Sequence, residues 1–164
     1  MRPVLTIITA AAFAALAAAC GAGSGQSQQD PQDVLTGTGV DSNANTGANG
    51  TPIGTTIVTF KLTQTEANVS GTMTTQSTDA PGTCASCHRS RTGALTGTVS
   101  GTTLSWTASF PAGPNDPTPS CTATLTGTLS DITGSSLSGA YSGKDSCEGD
   151  YTDGTLAMAR APKP

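Results

Sequence analysis

The sequence is poor in charge, in aromatic side chains and in histidine. Charged residues make up 11% and aromatic residues 4% of the 164 residues, and there is one His. The formal net charge of -4 provides no basic excess to neutralise phosphates, which argues against nucleic-acid binding. With two Glu and one His, no set of catalytic acids and bases stands out, so we expect no enzymatic activity.

Beyond the first 19 residues, the chain has no long apolar run. Residues 4–19, VLTIITAAAFAALAAA, are apolar except for two Thr, and Arg2 precedes them. This pattern is typical of a secretory signal peptide and is short for a membrane span. We therefore expect residues 1–19 to be removed on export, and no further membrane-spanning segment.

The apolar run ends in Ala17-Ala18-Ala19-Cys20, which resembles the lipobox of bacterial lipoproteins. The resemblance implies cleavage before Cys20 and acylation of that residue with chains such as palmitate, which together anchor a protein firmly to a membrane. Leu16 lies one place further from the Cys than the favoured Leu of this motif, so an ordinary signal-peptide cleavage nearby is the alternative. Gly21 in place of an Asp resembles lipoproteins sorted to the outer membrane, which implies a location in the bacterial cell envelope.

Thr, Ser and Gly are abundant, with 47 Thr and Ser residues and 20 Gly. Residues 20–52 are rich in Gly, Ser, Gln and Asn, and such a segment buries too little apolar surface to fold. We therefore predict that residues 20–52 form a flexible linker behind the lipidated Cys. Residues 53–161 contain alternating apolar and Thr-rich positions, and we predict one β-barrel domain there.

The alternation in residues 53–161 is that of strands with one buried face. Turn signals containing Gly, Asn and Asp separate the apolar sets. The fold class predicted is all-β, a seven- or eight-stranded antiparallel up-and-down barrel, with a β-sandwich as the alternative. The predicted core comprises Val58, Phe60, Leu62, Val69, Met73, Leu95, Val99, Leu104, Trp106, Ala108, Phe110, Ala123, Leu125, Leu129, Leu137, Tyr141, Leu156 and Met158.

A short unit recurs in this domain: an apolar residue, Ser or Thr, Gly, a small residue and, in most copies, another apolar residue. Its copies are VSGTM at Val69, LTGTV at Leu95, VSGTT at Val99, LTGTL at Leu125 and LSGAY at Leu137. The Gly lies two places from the first apolar residue and so faces the same side of the strand. Gly within strands marks bends or close backbone approach, which favours a curled, closed sheet.

Two of the strand segments, LTGTV at Leu95 and TLSWTASF at Thr103, resemble strands of the streptavidin group. The domain as a whole resembles the small lipocalin-like or avidin-like barrels of bacterial lipoproteins. That resemblance implies a small apolar or amphipathic ligand in the barrel mouth. Biotin is not expected, because that group lines its pocket with several Trp whereas Trp106 is alone, and a core position for Trp106 is favoured.

Four Cys are left once Cys20 is assigned to the lipid, and export to an oxidising compartment permits disulfides. Cys121 and Cys147 each open a strand, and in a meander one other strand separates the two. Their Cys-bearing ends then lie at the same rim, which favours a Cys121–Cys147 disulfide and leaves Cys84 with Cys87.

The segment Cys84-Ala85-Ser86-Cys87-His88 has several interpretations. It fits the c-type haem attachment pattern, in which Cys84 and Cys87 form thioethers and His88 ligates iron. Its flanks show no helical pattern and little apolar material to wrap a macrocycle, so a structural Cys84–Cys87 disulfide without a cofactor is favoured. The segment is also compatible with a redox-active pair beside Arg89 and Arg91 and with a zinc site, although zinc lacks a convincing fourth ligand.

One acidic group, formed by Asp145, Glu148 and Asp150, lacks the spacing of a calcium loop, and a solvated loop is expected there. The leading hypothesis is a noncatalytic envelope lipoprotein whose partner is the membrane, through its lipid, and which either binds a small apolar ligand in the barrel mouth or serves only as an envelope component. The competing hypothesis is a covalent haem c protein for electron transfer or sensing through Cys84, Cys87 and His88.

Overall fold

The computed structural model describes residues 33–44, 46, 49–77, 79, 88–113 and 121–162, which contain eight strands and no helix. The strands form a closed antiparallel barrel in which each pairs with its sequence neighbours and the first pairs with the last. This confirms the predicted up-and-down barrel. The strands are β1 (Asp33–Val40), β2 (Thr56–Thr65), β3 (Asn68–Ser77), β4 (Arg91–Ser100), β5 (Thr103–Phe110), β6 (Ala123–Ser130), β7 (Ser136–Asp145) and β8 (Gly149–Arg160).

The two ends of the barrel differ in their connections. The turn end carries the start of β1, the end of β8 and the short connections 66–67, 101–102 and 131–135. The loop end carries the connections 41–55, 78–90, 111–122 and 146–148. Within the described part of the chain, no helix is long and apolar enough to cross a membrane.

The barrel interior is filled by the side chains that the alternation predicts. All of the predicted core residues are buried except Val99, which packs against the core while partly exposed. Phe60 and Trp106 meet edge to face, with ring centroids 5.1 Å apart. The core position expected for Trp106 is therefore confirmed.

Glycines lie opposite several of the large inward side chains. Trp106 pairs with Gly97 on β4 and with Gly127 on β6, so that neither neighbouring strand places a side chain beside the indole. A Cβ added at Gly127 would lie 2.4 Å from the Ala140 carbonyl oxygen and 2.6 Å from Cζ2 of Trp106. The recurring Gly thus provides the room that a bulky side chain occupies. The same pairing places Leu62 opposite Gly71, Met73 opposite Gly93, Leu129 opposite Gly139 and Leu125 opposite Gly143.

The prediction of a flexible linker over residues 20–52 is wrong for Asp33–Val40, which form β1. This strand pairs with both β2 and β8 and closes the barrel. The alternation of apolar and polar residues does not reveal this strand, because Leu35 is its only large, fully buried side chain. Leu35-Thr36-Gly37-Thr38 is a further copy of the recurring unit, and that signal could have found it. The predicted signal peptide, Cys20 and the rest of the predicted linker before Asp33 lie outside the described residues.

A β-bulge in β8 explains a change in the inward parity of its side chains. Tyr141 pairs with Gly154 and Gly143 pairs with Tyr151, so β8 has one extra residue in this interval. Asp153 takes up the distortion with a left-handed φ of 53°. The bulge lets Tyr151 and Leu156 both point into the barrel.

We expect Gly127→Ala to lower the free energy of unfolding by about 1–3 kcal/mol, because the added methyl group meets Trp106 and a backbone oxygen. Urea denaturation followed by circular dichroism would measure the change. Gly113→Ala is the matched control, since no atom of the described residues lies within 4 Å of a Cβ at that position. Equal stability of the two variants would show that the barrel does not depend on this close approach.

Candidate functional site

The loop end of the barrel is closed by charged side chains from four places in the sequence. Asp41 directly follows β1, two residues lie just before β4, one opens β4, one ends β7 and one lies in the β7–β8 connection. We call this group the loop-end cluster, and its members are Asp41, His88, Arg89, Arg91, Asp145 and Glu148.

His88 lies between two carboxylates. Its Nε2 is 2.8 Å from Oδ2 of Asp41 and its Nδ1 is 3.3 Å from Oε2 of Glu148. Both ring nitrogens can donate only in the imidazolium form. Burial opposes this charge, but the hydrogen bonds to the two carboxylates outweigh it and raise the pKa of His88 to about 9. The ring also packs edge-on against Tyr151, with centroids 4.6 Å apart.

Each of these carboxylates also accepts a hydrogen bond from a tyrosine. The hydroxyl of Tyr141 donates to Oδ2 of Asp41 at 2.5 Å, and that of Tyr151 donates to Glu148. Burial opposes ionisation of both acids, yet the hydrogen bonds from His88 and the tyrosines lower the pKa of each carboxyl. Burial and the adjacent carboxylate raise the pKa of both tyrosine hydroxyls above the usual range. The hydroxyls therefore stay protonated and act as donors.

Asp145 is the buried acceptor on which both arginines converge. Nη2 of Arg89 lies 2.8 and 2.7 Å from its two carboxylate oxygens, and Nη2 of Arg91 lies 2.5 Å from Oδ2. The backbone N–H groups of Cys147 and Glu148 donate to Oδ1 at 2.7 and 3.0 Å. Burial opposes the charge, but these backbone and arginine contacts lower the pKa of Asp145 to about 2.

The solvated acidic loop expected at Asp145, Glu148 and Asp150 is therefore wrong for its first two members. Asp145 is 1% exposed, and the side chain of Glu148 contacts both His88 and Arg89. Asp150 does face solvent, 3.8 Å from Lys144. Their cationic partners, His88, Arg89 and Arg91, lie far away in the sequence and come close only in the folded barrel. The local spacing of the acidic residues therefore could not reveal these contacts.

The predicted disulfide between Cys121 and Cys147 is present at the loop end and joins residues 26 positions apart. Next to it, the backbones of Ser146 and Thr122 are hydrogen bonded at 2.9 Å. The disulfide thus fixes the start of β6 to the connection that carries Glu148. It holds one side of the loop-end cluster in place.

Of the proposed haem residues, only His88 lies within the described part of the chain, and Cys84 and Cys87 lie outside it. The Nε2 atom of His88 is already used by Asp41. Ligation of iron would require His88 to leave both carboxylates and lose a proton. Among the described residues, no three His, Cys, Asp or Glu side chains are arranged to hold a metal ion. The structure therefore offers no ready axial ligand, and the state of the two thiols stays a prediction.

The described residues of the turn end form a second candidate site. A recess of about 450 Å³ lies between the β2–β3, β4–β5 and β6–β7 turns. Volumes of about 300–1,000 Å³ are typical of small-molecule sites. Its described lining consists of apolar Leu62, Val69, Val99, Leu104 and Ile132, with Asp33, Gln64, Glu66, Gly101 and Thr133.

Arg160 stabilises one side of this recess. Its guanidinium pairs with Asp33 and donates to the backbone carbonyl oxygens of Ile132 and Gly134. These contacts hold the β6–β7 turn against the start of β1. The alternating pattern predicts Leu62, Val69, Val99 and Leu104 as core residues, and no local pattern marks them as the lining of a recess.

Comparison with known protein families, curated proteins and solved structures gives no match to this chain. The two candidate sites therefore depend on the geometry of the described residues. The resemblance to bacterial lipoproteins and lipocalin-like barrels stays an interpretation of the sequence.

We expect the free energy of unfolding to fall as the pH rises from 6.5 through about 9, because the pKa of His88 is raised from its ordinary value of 6.5 to about 9 in the folded protein. The folded state then holds this proton more tightly, so its stabilisation is complete below the lower pKa and is lost above the higher one. Urea denaturation across this window would measure the slope.

In the same experiment, His88→Gln should flatten the pH dependence even if it lowers stability at every pH. Asp150→Asn, at an exposed position, should keep the slope of the unmodified protein. A stability that is constant across the window in the unmodified protein would contradict the imidazolium assignment.

Proposed function

We propose that the protein is an envelope lipoprotein, anchored through Cys20, whose barrel binds one slender apolar ligand at its turn end. The observation that carries this proposal is the recess of about 450 Å³ lined by Leu62, Val69, Val99, Leu104 and Ile132. It is a barrel mouth with an apolar wall, which is the kind of site that the lipocalin-like resemblance implies.

The filled interior directs the ligand to this end. Phe60 and Trp106 occupy the centre of the barrel, and the cavity under the loop-end cluster measures only about 20 Å³. Space of that size holds about one water molecule. A ligand would therefore enter at the turn end and rest above Leu104, not pass through the barrel.

The recess has a deep part and a rim. Leu62, Val69 and Leu104 are buried in its floor, whereas Val99 and Ile132 are only partly buried. An alkyl chain in the recess would cover the exposed parts of the two rim residues. Burying apolar surface is worth roughly 25 cal/mol per Å². Contacts with Val99 and Ile132 are therefore expected to contribute favourably to the free energy of ligand binding.

The charges at the rim favour a neutral ligand. Glu66 and Asp33 both line the recess, and the guanidinium of Arg160 is already engaged by Asp33 and by two carbonyl oxygens. A ligand carboxylate or phosphate would approach these acids without a cation offered to it, at a net electrostatic cost. We therefore expect an acyl ester or another neutral head group in preference to a fatty acid.

The position of the recess suits a ligand that comes from a membrane. Residues 21–32 join Cys20 to Asp33, which lines the recess. A chain spans at most about 3.5 Å per residue, so the recess would lie within about 45 Å of the anchor.

To test ligand binding, the mature chain carrying Cys20→Ser is titrated calorimetrically with monodecanoyl glycerol and with decanoate. We expect saturable binding of the neutral ester and weaker binding of the anion. Ile132→Asp should weaken binding of the ester about tenfold or more, because a buried apolar contact is worth about 1.5–3 kcal/mol. Ile53→Asp, at a 64% exposed site in the 41–55 connection, is the control and should bind normally. Absence of binding, or equal affinity of the two variants, would refute the assignment.

The anchor is tested by the mass of the protein recovered from the membrane fraction. We expect a chain that begins at Cys20 and carries acyl groups, whereas Cys20→Ala should lose both the acyl mass and the membrane association. An unacylated chain cut elsewhere would support the ordinary signal peptide instead. The same mass measurement would reveal covalent haem by its added mass. A visible absorption spectrum of the sample would check that assignment.

A further inference from the structure

On three neighbouring strands, the last inward position at the turn end is polar. Side chains two residues apart in a strand face the same side of the sheet. Asp33 on β1, Gln64 on β2 and Arg160 on β8 each lie two residues beyond a buried apolar side chain. Those buried side chains are Leu35, Leu62 and Met158. Because β8, β1 and β2 are adjacent in the barrel, these three residues give its mouth a polar side.

The partly buried apolar residues of the recess come from other elements. Val99 belongs to β4 and Ile132 to the β6–β7 turn. A ligand that fills the recess therefore meets apolar side chains from these elements and polar groups from β1, β2 and the β2–β3 turn. An amphipathic molecule matches this arrangement, with its alkyl chain against Val99 and Ile132 and its head group toward the polar side.

The β2–β3 turn holds Glu66 in a fixed position beside the recess. Glu66 has a left-handed φ of 55°. The amide nitrogen of Gln64 donates to the backbone carbonyl oxygen of Glu66 at 2.7 Å, and the backbone N–H of Val99 donates to that of Ala67 at 2.8 Å. Both residues of the turn are thus held by hydrogen bonds. With its nitrogen directed to the turn, Gln64 retains its amide oxygen as an acceptor.

Hydrogen-bond acceptors predominate among the described polar groups of the recess. Asp33 and Glu66 contribute carboxylates, which only accept, and Gln64 contributes its amide oxygen. Thr133 adds one hydroxyl that can donate or accept, and the described lining contains no Lys, Arg or His. The side chain of Asp33 is paired with Arg160, so Glu66 is the carboxylate better placed to meet a ligand. A head group that donates hydrogen bonds is therefore favoured.

Hydroxyl groups match this environment better than an ammonium group does. The guanidinium of Arg160 lies beside Asp33 on the polar side, so a ligand cation would approach a like charge there. Glu66 is exposed, and water and salt weaken its attraction for a cation. Neutral hydroxyls donate to the same acceptors without repulsion from Arg160. Hydrogen bonds to an ionised acceptor are also about twice as strong as those between neutral groups.

We propose that the head group of the turn-end ligand is a neutral polyol of the glycerol type, and that the Glu66 carboxylate accepts a hydrogen bond from one of its hydroxyls. Gln64 is the positioning residue, because its amide holds the Glu66 backbone at the recess. This inference rests on the apolar ligand site proposed above and adds the chemistry of its polar side.

Two ligands that differ only in their hydroxyls test the head group. The mature chain carrying Cys20→Ser is titrated calorimetrically with monodecanoyl glycerol and with the same ester methylated at both hydroxyls. We expect the hydroxyl-bearing ester to bind about tenfold more tightly. Equal affinity would overturn the polyol assignment and leave the apolar site standing, whereas no binding of either ester would overturn both. Tighter binding of decylammonium than of the glycerol ester would show a cationic head group instead.

Variants of the polar side identify the residues that read the hydroxyls. Glu66→Gln should weaken binding of the glycerol ester severalfold and leave the methylated ester unchanged, so the ratio of the two affinities falls. Gln64→Leu should lower the same ratio, since Glu66 is no longer held, whereas a loss of stability alone would weaken both esters equally. Asp150→Asn, at an exposed acid remote from the recess, is the control and should keep the ratio. An unchanged ratio in Glu66→Gln would refute its role.

Discussion

The narrow interior of an eight-stranded barrel is the constraint on which the rest of this structure depends. Such a barrel is just wide enough to be filled by its own side chains. Trp106 fits only because Gly97 and Gly127 lie beside it on the two neighbouring strands. The recurring Gly is therefore the counterpart of several bulky residues, and a chain with 4% aromatic residues still builds a dense core.

Because side chains fill the centre of the barrel, both candidate sites lie at its ends. The two ends differ in the polarity of the residues that line them. At the loop end, three cationic and three anionic side chains converge and neutralise one another, with Tyr141 and Tyr151 completing the hydrogen bonds. At the turn end, short connections leave the side chains of Val99 and Ile132 partly exposed above the buried Leu104. Among its described residues, the same barrel thus offers a buried charged cluster at one end and a recess with an apolar wall at the other.

Local pattern predicted most of the barrel but little of either site. Period-two alternation identified the strands with large inward residues, and meander geometry sufficed for the Cys121–Cys147 pair. β1 was missed because Gly37 and Gly39 stand where large side chains mark the other strands. The partners of His88 could not be found because Asp41 and Glu148 lie 47 and 60 residues away and meet it only when the barrel closes. Burial of Asp145 had the same long-range origin.

The start of β1 and the end of β8 lie side by side, and Asp33 pairs with Arg160 across them. The eight strands thus form a closed ring. Their packing does not require the chain to begin with β1 and end with β8. A short bridge from Arg160 to Asp33, with new ends cut at Ala112, would trace the same ring as a circular permutant. A passenger domain fused after Arg160 would emerge at the turn end, whereas an insertion at Ala112 would be displayed on the opposite side.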